Sequence, residues 1–496
     1  MQEPSEFANH ETGPSRAGQI MDEVLSLRAS IIAESVPLIE RFGGERASPA
    51  IRNLAHYLCL RHHDLRMLQR RLMHHGLSSL GHLESRVLPT LDSVLVALAA
   101  ITGRESPVPL PGEESFFAGE VALDRAADEL FGKPPAHRRS RIMVTLPTEA
   151  AGDQDFVTDL VRRGMDVARI NCAHDDHIAW RAMAAHVRAA GEALGRRPTI
   201  LMDIAGPKIR TEEVAHGGHA KLKPGNTFRL IAQGKPEPGP KERCVASVSL
   251  PEMVTRLGVG DRIRYDDGKL EGVVESVGDG EAVIRVSRAG SGGTKMKPQK
   301  GINLPDTALG LSPLTTKDKQ DLTTVIECAD MIGYSFVSQP EDIELIEEAI
   351  ARSGVRESPL GLVAKIERPE AVRNLPDLIA HADGRRPLGV MIARGDLAAE
   401  IGFERLAEMQ EEILWVCEAA SVPVIWATQV LEDLVKEGTP SRGEMTDAAM
   451  AARAECVMLN KGPVVGEAVG VLDRLLARMD EHIFKKAPRL RALKSW

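Results

Sequence analysis

The chain has 496 residues, with 62 Lys and Arg against 71 Asp and Glu, a formal net charge of -9 and a pI near 6.0. That length accommodates about two to four domains, and the acidic balance excludes a broad nucleic-acid-binding surface. Aromatic residues make up 3% of the chain, so the core must be built from Leu, Ile, Val, Ala and Met.

The six cysteines (Cys59, Cys172, Cys244, Cys328, Cys417, Cys456) are scattered without a CxxC pair and are expected to be reduced, as in a cytoplasmic protein. No apolar run reaches the roughly 18 residues of a membrane span. Residues 1–20 carry Glu3, Glu6, Glu11, Pro4 and Pro14 without an apolar core, and are expected to form a disordered start and not a targeting peptide. Residues 21–132 show helical spacing over Met21–Phe42, Ala50–His75, Glu84–Ile101 and Glu114–Phe131, broken at Gly43-Gly44, Gly76 and Gly103. His62, His63, His74 and His75 share one of these segments, but at ~1.5 Å per residue the two pairs stand roughly 18 Å apart and cannot share an ion within a straight helix. With Arg61, Arg66, Arg70 and Arg71 they read as a solvated basic face, with an acidic partner surface as the sharper alternative. Residues 133–139 read as a linker.

From Arg141 the pattern changes to short apolar strands alternating with helices. The strands are Ile142–Leu146, Val167–Cys172, Thr199–Ile204, Ala329–Phe336, Leu360–Ile366, Leu388–Ala393, Val422–Ala427 and Cys456–Leu459, with helices such as Gln154–Arg163, Ile178–Leu194, Glu341–Ser353 and Glu404–Ala420 between them. Such a series predicts an α/β fold, a (β/α)8 barrel over 133–207 and 303–496. The connection over 208–302 is Gly-rich and β-patterned: Thr227–Ile231, Arg262–Tyr265, Leu270–Ser276 and Ala282–Val286, with turn signals at Lys223–Asn226, Asp266-Asp267-Gly268 and Gly278-Asp279-Gly280. It is expected to form a small β-barrel lid that excludes water on closure.

Active sites of such barrels lie at the C-terminal strand ends. That rule gathers Arg169, Asn171, Asp203, Ser335, Lys365, Glu367, Asp396 and Thr428. Two carboxylates, Glu367 and Asp396, suit a Mg²⁺ that keeps other positions for water and substrate. The Lys365 ammonium suits charge developing on a phosphoryl group or an enolate. The plainer reading of Lys365 and Glu367, two apart on a strand, is an exposed ion pair. Arg169 could be structural, Ser335 a strand-end hydrogen bond, and Thr428 a packing residue.

From about Arg141 to Met479 the chain resembles the pyruvate kinase family. The resemblance rests on Val167–Asn171 with His174; Met202-Asp203 with Gly206–Thr211; Asp266-Asp267-Gly268; Lys300–Pro305; Ser335-Phe336; Lys365 with Glu367; Arg394–Leu397; Ala427–Gln429; and Pro440–Arg442 with Glu444, in family order. It implies phosphoryl transfer from phosphoenolpyruvate to ADP, giving pyruvate and ATP at the last step of glycolysis. The implied cofactor is Mg²⁺ on Glu367 and Asp396, with Mn²⁺ as the alternative ion. Backbone N–H groups at Gly395 and Asp396 would hold the substrate carboxylate, Arg169 would clamp phosphate, and Lys365 would stabilise the enolate oxygen. A relay through Thr428, with a water chain as proton source, would protonate carbon. Ser335 would touch substrate, and Asn171, His174, Arg210 and Lys300 would serve the nucleotide. A homo-oligomer is expected, with neither nucleic acid nor membrane as partner.

Departures from the family pattern carry their own expectations. Asn171 and Asp203 remain of the potassium site, but Ala173 stands at its serine and Lys208 at a commonly acidic position. The Lys208 ammonium is expected to substitute for potassium, giving potassium-independent activity; a solvated Lys208 is the rival reading. Ile204-Ala205, Asp175, Thr145–Pro147 and Asn460–Pro463 also differ. The resemblance ends near the last barrel helix, so the family's C-terminal effector domain is expected to be absent and the helical N-terminal domain to serve as an interface or a different control. Two alternatives therefore stay open: a catalytically impaired regulatory or binding protein, and a Mg²⁺–enolate lyase on the same barrel.

Overall fold

The computed structural model describes residues 14–488, apart from 219, 241, 267, 308–309, 354–359 and 486. Of the expected disordered start, residues 1–13 lie outside the described residues, as does Asp267. Residues 14–20 are helical instead: α1 runs Pro14–Arg41. Ala17, Ile20, Met21, Val24, Leu27 and Ile31 are buried along it, so the apolar stripe reaches a turn further toward the N-terminus than the Glu- and Pro-bearing sequence suggested.

The segment expected as one helix, Ala50–His75, is two: α2 (Pro49–Arg61) and α3 (Arg66–His74). Asp64 accounts for the break. Its carboxylate accepts from the Arg66 backbone N–H at 3.1 Å and from Arg66 Nε at 2.9 Å, offering a side-chain partner where a helix carbonyl would be needed. α4 (Val87–Thr102) and α5 (Glu113–Phe131) complete the helical region.

Eight parallel strands close the barrel in sequence order: β1 (Arg141–Thr145), β2 (Val167–Asn171), β3 (Thr199–Asp203), β4 (Met331–Tyr334), β5 (Gly361–Ile366), β6 (Leu388–Ala393), β7 (Val424–Ala427) and β8 (Cys456–Leu459), with β8 pairing back onto β1. Met143, Val167, Leu201, Met331, Val363 and Met391 form an inner cluster, which Leu130 and Phe131 of α5 join. A Cβ on Gly361 or Gly389 would stand 2.5 Å from a Leu130 methyl, so these two glycines at the starts of β5 and β6 make room for the end of α5 in the barrel floor. Arg141 fixes that end by donating to the Gly132 carbonyl at 2.9 Å and pairing with Asp128. The stretch read as a linker is pinned too. Arg138 is buried and donates to the Gly164 carbonyl at 2.6 Å and to Asp166 and Asp473 at 2.7 Å each.

The insertion is a curled seven-stranded sheet with its own core around Phe228, Leu230, Tyr265 and Ile284. Three of its strands, Thr211–His216, Cys244–Val248 and the two-residue Ile302–Asn303, were not expected from sequence. Its two connections to the barrel are tied to each other: Thr211 donates to the Lys300 carbonyl and Ile302 to the Ile209 carbonyl, each at 2.9 Å. Among the described residues, no helix is long and apolar enough to cross a membrane.

Leu130→Ala is expected to lower stability by about 2–5 kcal/mol, because it removes a packed side chain the glycines cannot replace. A urea midpoint equal to that of the wild type would contradict the floor packing.

Candidate active site

Parallel register sets the functional ends level. Asn171 pairs with Asp203 across β2 and β3, and Lys365 with Met391 across β5 and β6. A short helix, Arg394–Ile401, follows β6 directly and carries Asp396 in its first turn. Of the expected residues, Arg169, Asn171, Asp203, Lys208, Arg210, Ser335, Lys365, Glu367, Asp396 and Thr428 all line one cleft at this mouth.

Lys365 is its centre. The ammonium lies 2.9 Å from Glu367 Oε1 and 3.1 Å from Asp203 Oδ1, and donates to Ser335 Oγ at 2.7 Å. Burial works against its charge, but the two carboxylates outweigh burial and hold its pKa above the ordinary lysine value. Burial likewise opposes the charge on Asp203, and Lys365 and Arg169 overcome it, holding that carboxyl below its ordinary value. The exposed ion pair is thereby excluded: Glu367 and Asp203 are 2% and 1% exposed. Ser335 donates its own hydrogen bond to the Ile204 carbonyl at 2.8 Å and so orients the lysine.

Arg169 donates to Asp203 Oδ2 through Nε at 2.9 Å and to Thr145 Oγ1 at 2.9 Å. Thr145 was missed as a partner; its position at the end of β1 was the available signal. Glu367 Oε2 accepts from the Phe336 N–H at 3.0 Å. Phe336 holds a φ of 61°, and Thr428 and Gln429 hold 63° and 57°. Non-glycine residues in this left-handed region cost energy and collect at functional sites.

Lys208 reaches across from the lid connection and donates to Asp396 Oδ1 at 2.9 Å and Oδ2 at 3.2 Å. Burial would raise the Asp396 carboxyl, but Lys208 outweighs it and holds it low. Glu367 is pushed the other way: burial raises it more than Lys365 lowers it, and Asp396 adds to the rise. Asn303, absent from the expected set, helps hold the Asp396 carboxyl low and donates to Glu400 at 3.1 Å.

The Gly395 N–H, expected to face substrate, donates to Thr428 Oγ1 at 2.9 Å. Arg394 braces that junction by donating to the Ala427 carbonyl at 2.9 Å and by pairing with Asp447. His174 is exposed in the turn after β2, where partial desolvation of its ring and the positive charges of Lys461 and Arg210 disfavour its charged form. Lys300 lies on the lid, 3.2 Å from Asp266. Neither His174 nor Lys300 lines the cleft.

A parallel eight-stranded α/β barrel, with a lysine held by carboxylates at its mouth beneath an inserted β-domain, defines the class of protein. Residues 137–468 match the family model "Pyruvate kinase, barrel domain". The chain is 33% identical over 352 residues to a pyruvate kinase of Mycobacterium intracellulare, covering 70% of this chain and 71% of that one. It is 35% identical over 358 residues to a pyruvate kinase of Agrobacterium vitis, with the same coverage of 70% and 71%. A crystal structure of a pyruvate kinase from Cryptosporidium parvum superposes with a TM-score of 0.61 at 27% identity, over 72% of this chain and 73% of that one. The chain belongs to the pyruvate kinase family.

Asp203→Asn is expected to lower stability at pH 7 by about 3–5 kcal/mol, since it leaves Lys365 and Arg169 short of a buried partner. The Asp203 carboxyl is depressed from 3.8, so its contribution is present above that pH and lost as the pH falls through the folded value. The gap between wild type and variant should therefore narrow as the pH drops below 3.8. A gap independent of pH in urea titrations would contradict the assignment.

Proposed function

We propose that this protein transfers the phosphoryl group of phosphoenolpyruvate to ADP, giving pyruvate and ATP. The observation that carries the reading is the Lys365 ammonium, kept charged at the barrel mouth by Asp203 and Glu367 with the Arg169 guanidinium on the same Asp203. Two cations pointing into one cleft suit a doubly anionic phosphate ester.

Glu367 and Asp396 fit the role of Mg²⁺ ligands, with Mn²⁺ as the alternative ion. Both are hard oxygen donors, and Asp396 already accommodates a cationic group in Lys208. When bound, the ion neutralises charge on the transferring phosphoryl group. Arg169 binds the phosphate, held in orientation by Asp203 and Thr145. Lys365 stabilises the developing enolate oxygen, and Ser335 fixes its direction. Thr428 accepts from Gly395 N–H, which leaves its own hydroxyl proton to be donated into the cleft toward the enolate carbon, replenished by water. Arg210 and Asn171, which line the cleft, are assigned to ADP, together with His174 in the turn after β2 and Lys300 on the lid.

Ala173 and Lys208 line the same cleft as Asn171 and Asp203. An ammonium there supplies a monovalent positive charge, which supports turnover without potassium. The Lys208–Asp396 pair also supports one rival, a protein that binds phosphoenolpyruvate without turning it over, because Lys208 occupies a carboxylate the metal requires.

A lactate-dehydrogenase-coupled assay in potassium-free buffer with Mg²⁺ separates them. Turnover is expected, with a loss on the order of 10²–10³-fold in Lys365→Met. No turnover by a folded protein that still binds phosphoenolpyruvate would establish the rival. In the same assay KCl is expected to change the rate little relative to tetramethylammonium chloride; several-fold activation would overturn potassium independence.

A further inference from the structure

A second group of chemistry-bearing side chains lies at the seam between the helical region and the barrel. Asn53 of α2 donates to the Glu84 carbonyl at 2.7 Å and to the Ala419 carbonyl at 2.8 Å, and accepts from the Val87 N–H at 2.9 Å. One amide thus pins the loop before α4 against the end of the barrel helix Phe403–Ala419. On either side of this pin His82, Glu84 and Glu418 converge. One ligand atom from each lies within 4.8 Å of the others. None of the three lines the active-site cleft.

The chemistry of this cluster suits a cation. Glu84 is 2% exposed and Glu418 3%. Two carboxylates buried this close cannot both be charged without a counter-charge. Glu418 makes no side-chain hydrogen bond or ion pair among the described residues, although its oxygens face His82 and Glu84. Burial pushes its carboxyl up to about 7; Lys485, itself bonded to Glu455, opposes that rise, and Glu84 adds to it. His82 Nδ1 is buried without a hydrogen bond, 3.6 Å from the Glu84 carboxylate.

We propose that His82, Glu84 and Glu418 form a divalent-metal site that clamps the N-terminal helical region to the barrel. One imidazole and two carboxylates are the donor set of Zn²⁺ and related first-row ions, with water completing the coordination. Donors at about 2.0–2.2 Å from a tetrahedral ion stand about 3.3–3.6 Å apart, so the three side chains close by roughly an ångström around it. The site joins two parts of the chain that also meet through α5, Asn53, the Arg41–Asp377 ion pair and Arg61 on the Trp415 ring, and it is structural, because its ligands lie away from the reacting groups.

The test uses the full chain, freed of metal by chelation and kept in excess Mg²⁺ so that the active-site carboxylates are occupied. Zn²⁺ is titrated by calorimetry and bound metal is counted. The expected result is one Zn²⁺ per chain in the wild type, with a Zn²⁺-dependent rise in Tm. In Glu418→Gln and His82→Ala that ion should be lost or bound at least about 10-fold more weakly. Glu418→Gln copies the neutral carboxyl and should fold without metal. A wild type that binds no Zn²⁺ beyond the Mg²⁺-protected sites would overturn the proposal whatever the variants do. Equal stoichiometry and equal Tm shifts in wild type and Glu418→Gln would overturn it as well, leaving a shared proton to neutralise the pair.

Discussion

The rest of the site depends on one buried contact, the Lys365 ammonium between Asp203 and Glu367. Burying an isolated ammonium in a protein interior costs several kcal/mol, and partners recover that cost only when the geometry is good. Three strand ends must therefore be level: β3 for Asp203, β4 for Ser335 and β5 for Lys365. Parallel hydrogen-bonding register supplies the level, with Gly333 opposite Asp203. A Cβ on Gly333 would stand 2.9 Å from Asp203 Oδ1, so a larger residue there would displace the carboxylate from the lysine.

From that contact the surroundings follow. Arg169 can lie beside Lys365 because Asp203 serves both cations. Phe336 adopts a left-handed backbone, which turns its N–H onto Glu367. Thr428, also left-handed, places its hydroxyl on Gly395 and so couples β7 to the helix that carries Asp396. The strain in these two residues is offset by the packed barrel beneath them, whose floor is closed by Leu130 between two glycines.

The barrel was legible in the sequence because parallel strands are buried on both faces and read as unbroken apolar runs. Leu388–Ala393 and Cys456–Leu459 match to the residue, and the other strand boundaries shift by one or two. Lid strands were harder. Thr211–His216 carries two consecutive glutamates, and Cys244–Val248 is buried throughout and shows no alternation. The residues 133–139 look like a linker by composition, yet Arg138 makes them a fixed corner. Lys365, Glu367, Asp396, Arg169 and Asp203 were legible because strand-end position and chemistry coincide. The partners of Lys208, Gly395 and Thr428 were not, because they depend on how a lid connection and a tight turn fold over the mouth. Local sequence carries no such distance information: Lys208 and Asp396 are 188 residues apart.

The cluster around Lys365 is assigned the transfer of a phosphoryl group between two small molecules. Phosphorus NMR on the purified protein with phosphoenolpyruvate, ADP and Mg²⁺ in potassium-free buffer observes that transfer without coupling enzymes. The phosphoenolpyruvate resonance is expected to decay while the γ-phosphate resonance of ATP grows in equal amount. A phosphoenolpyruvate resonance that persists, or one that decays into inorganic phosphate, would contradict that assignment.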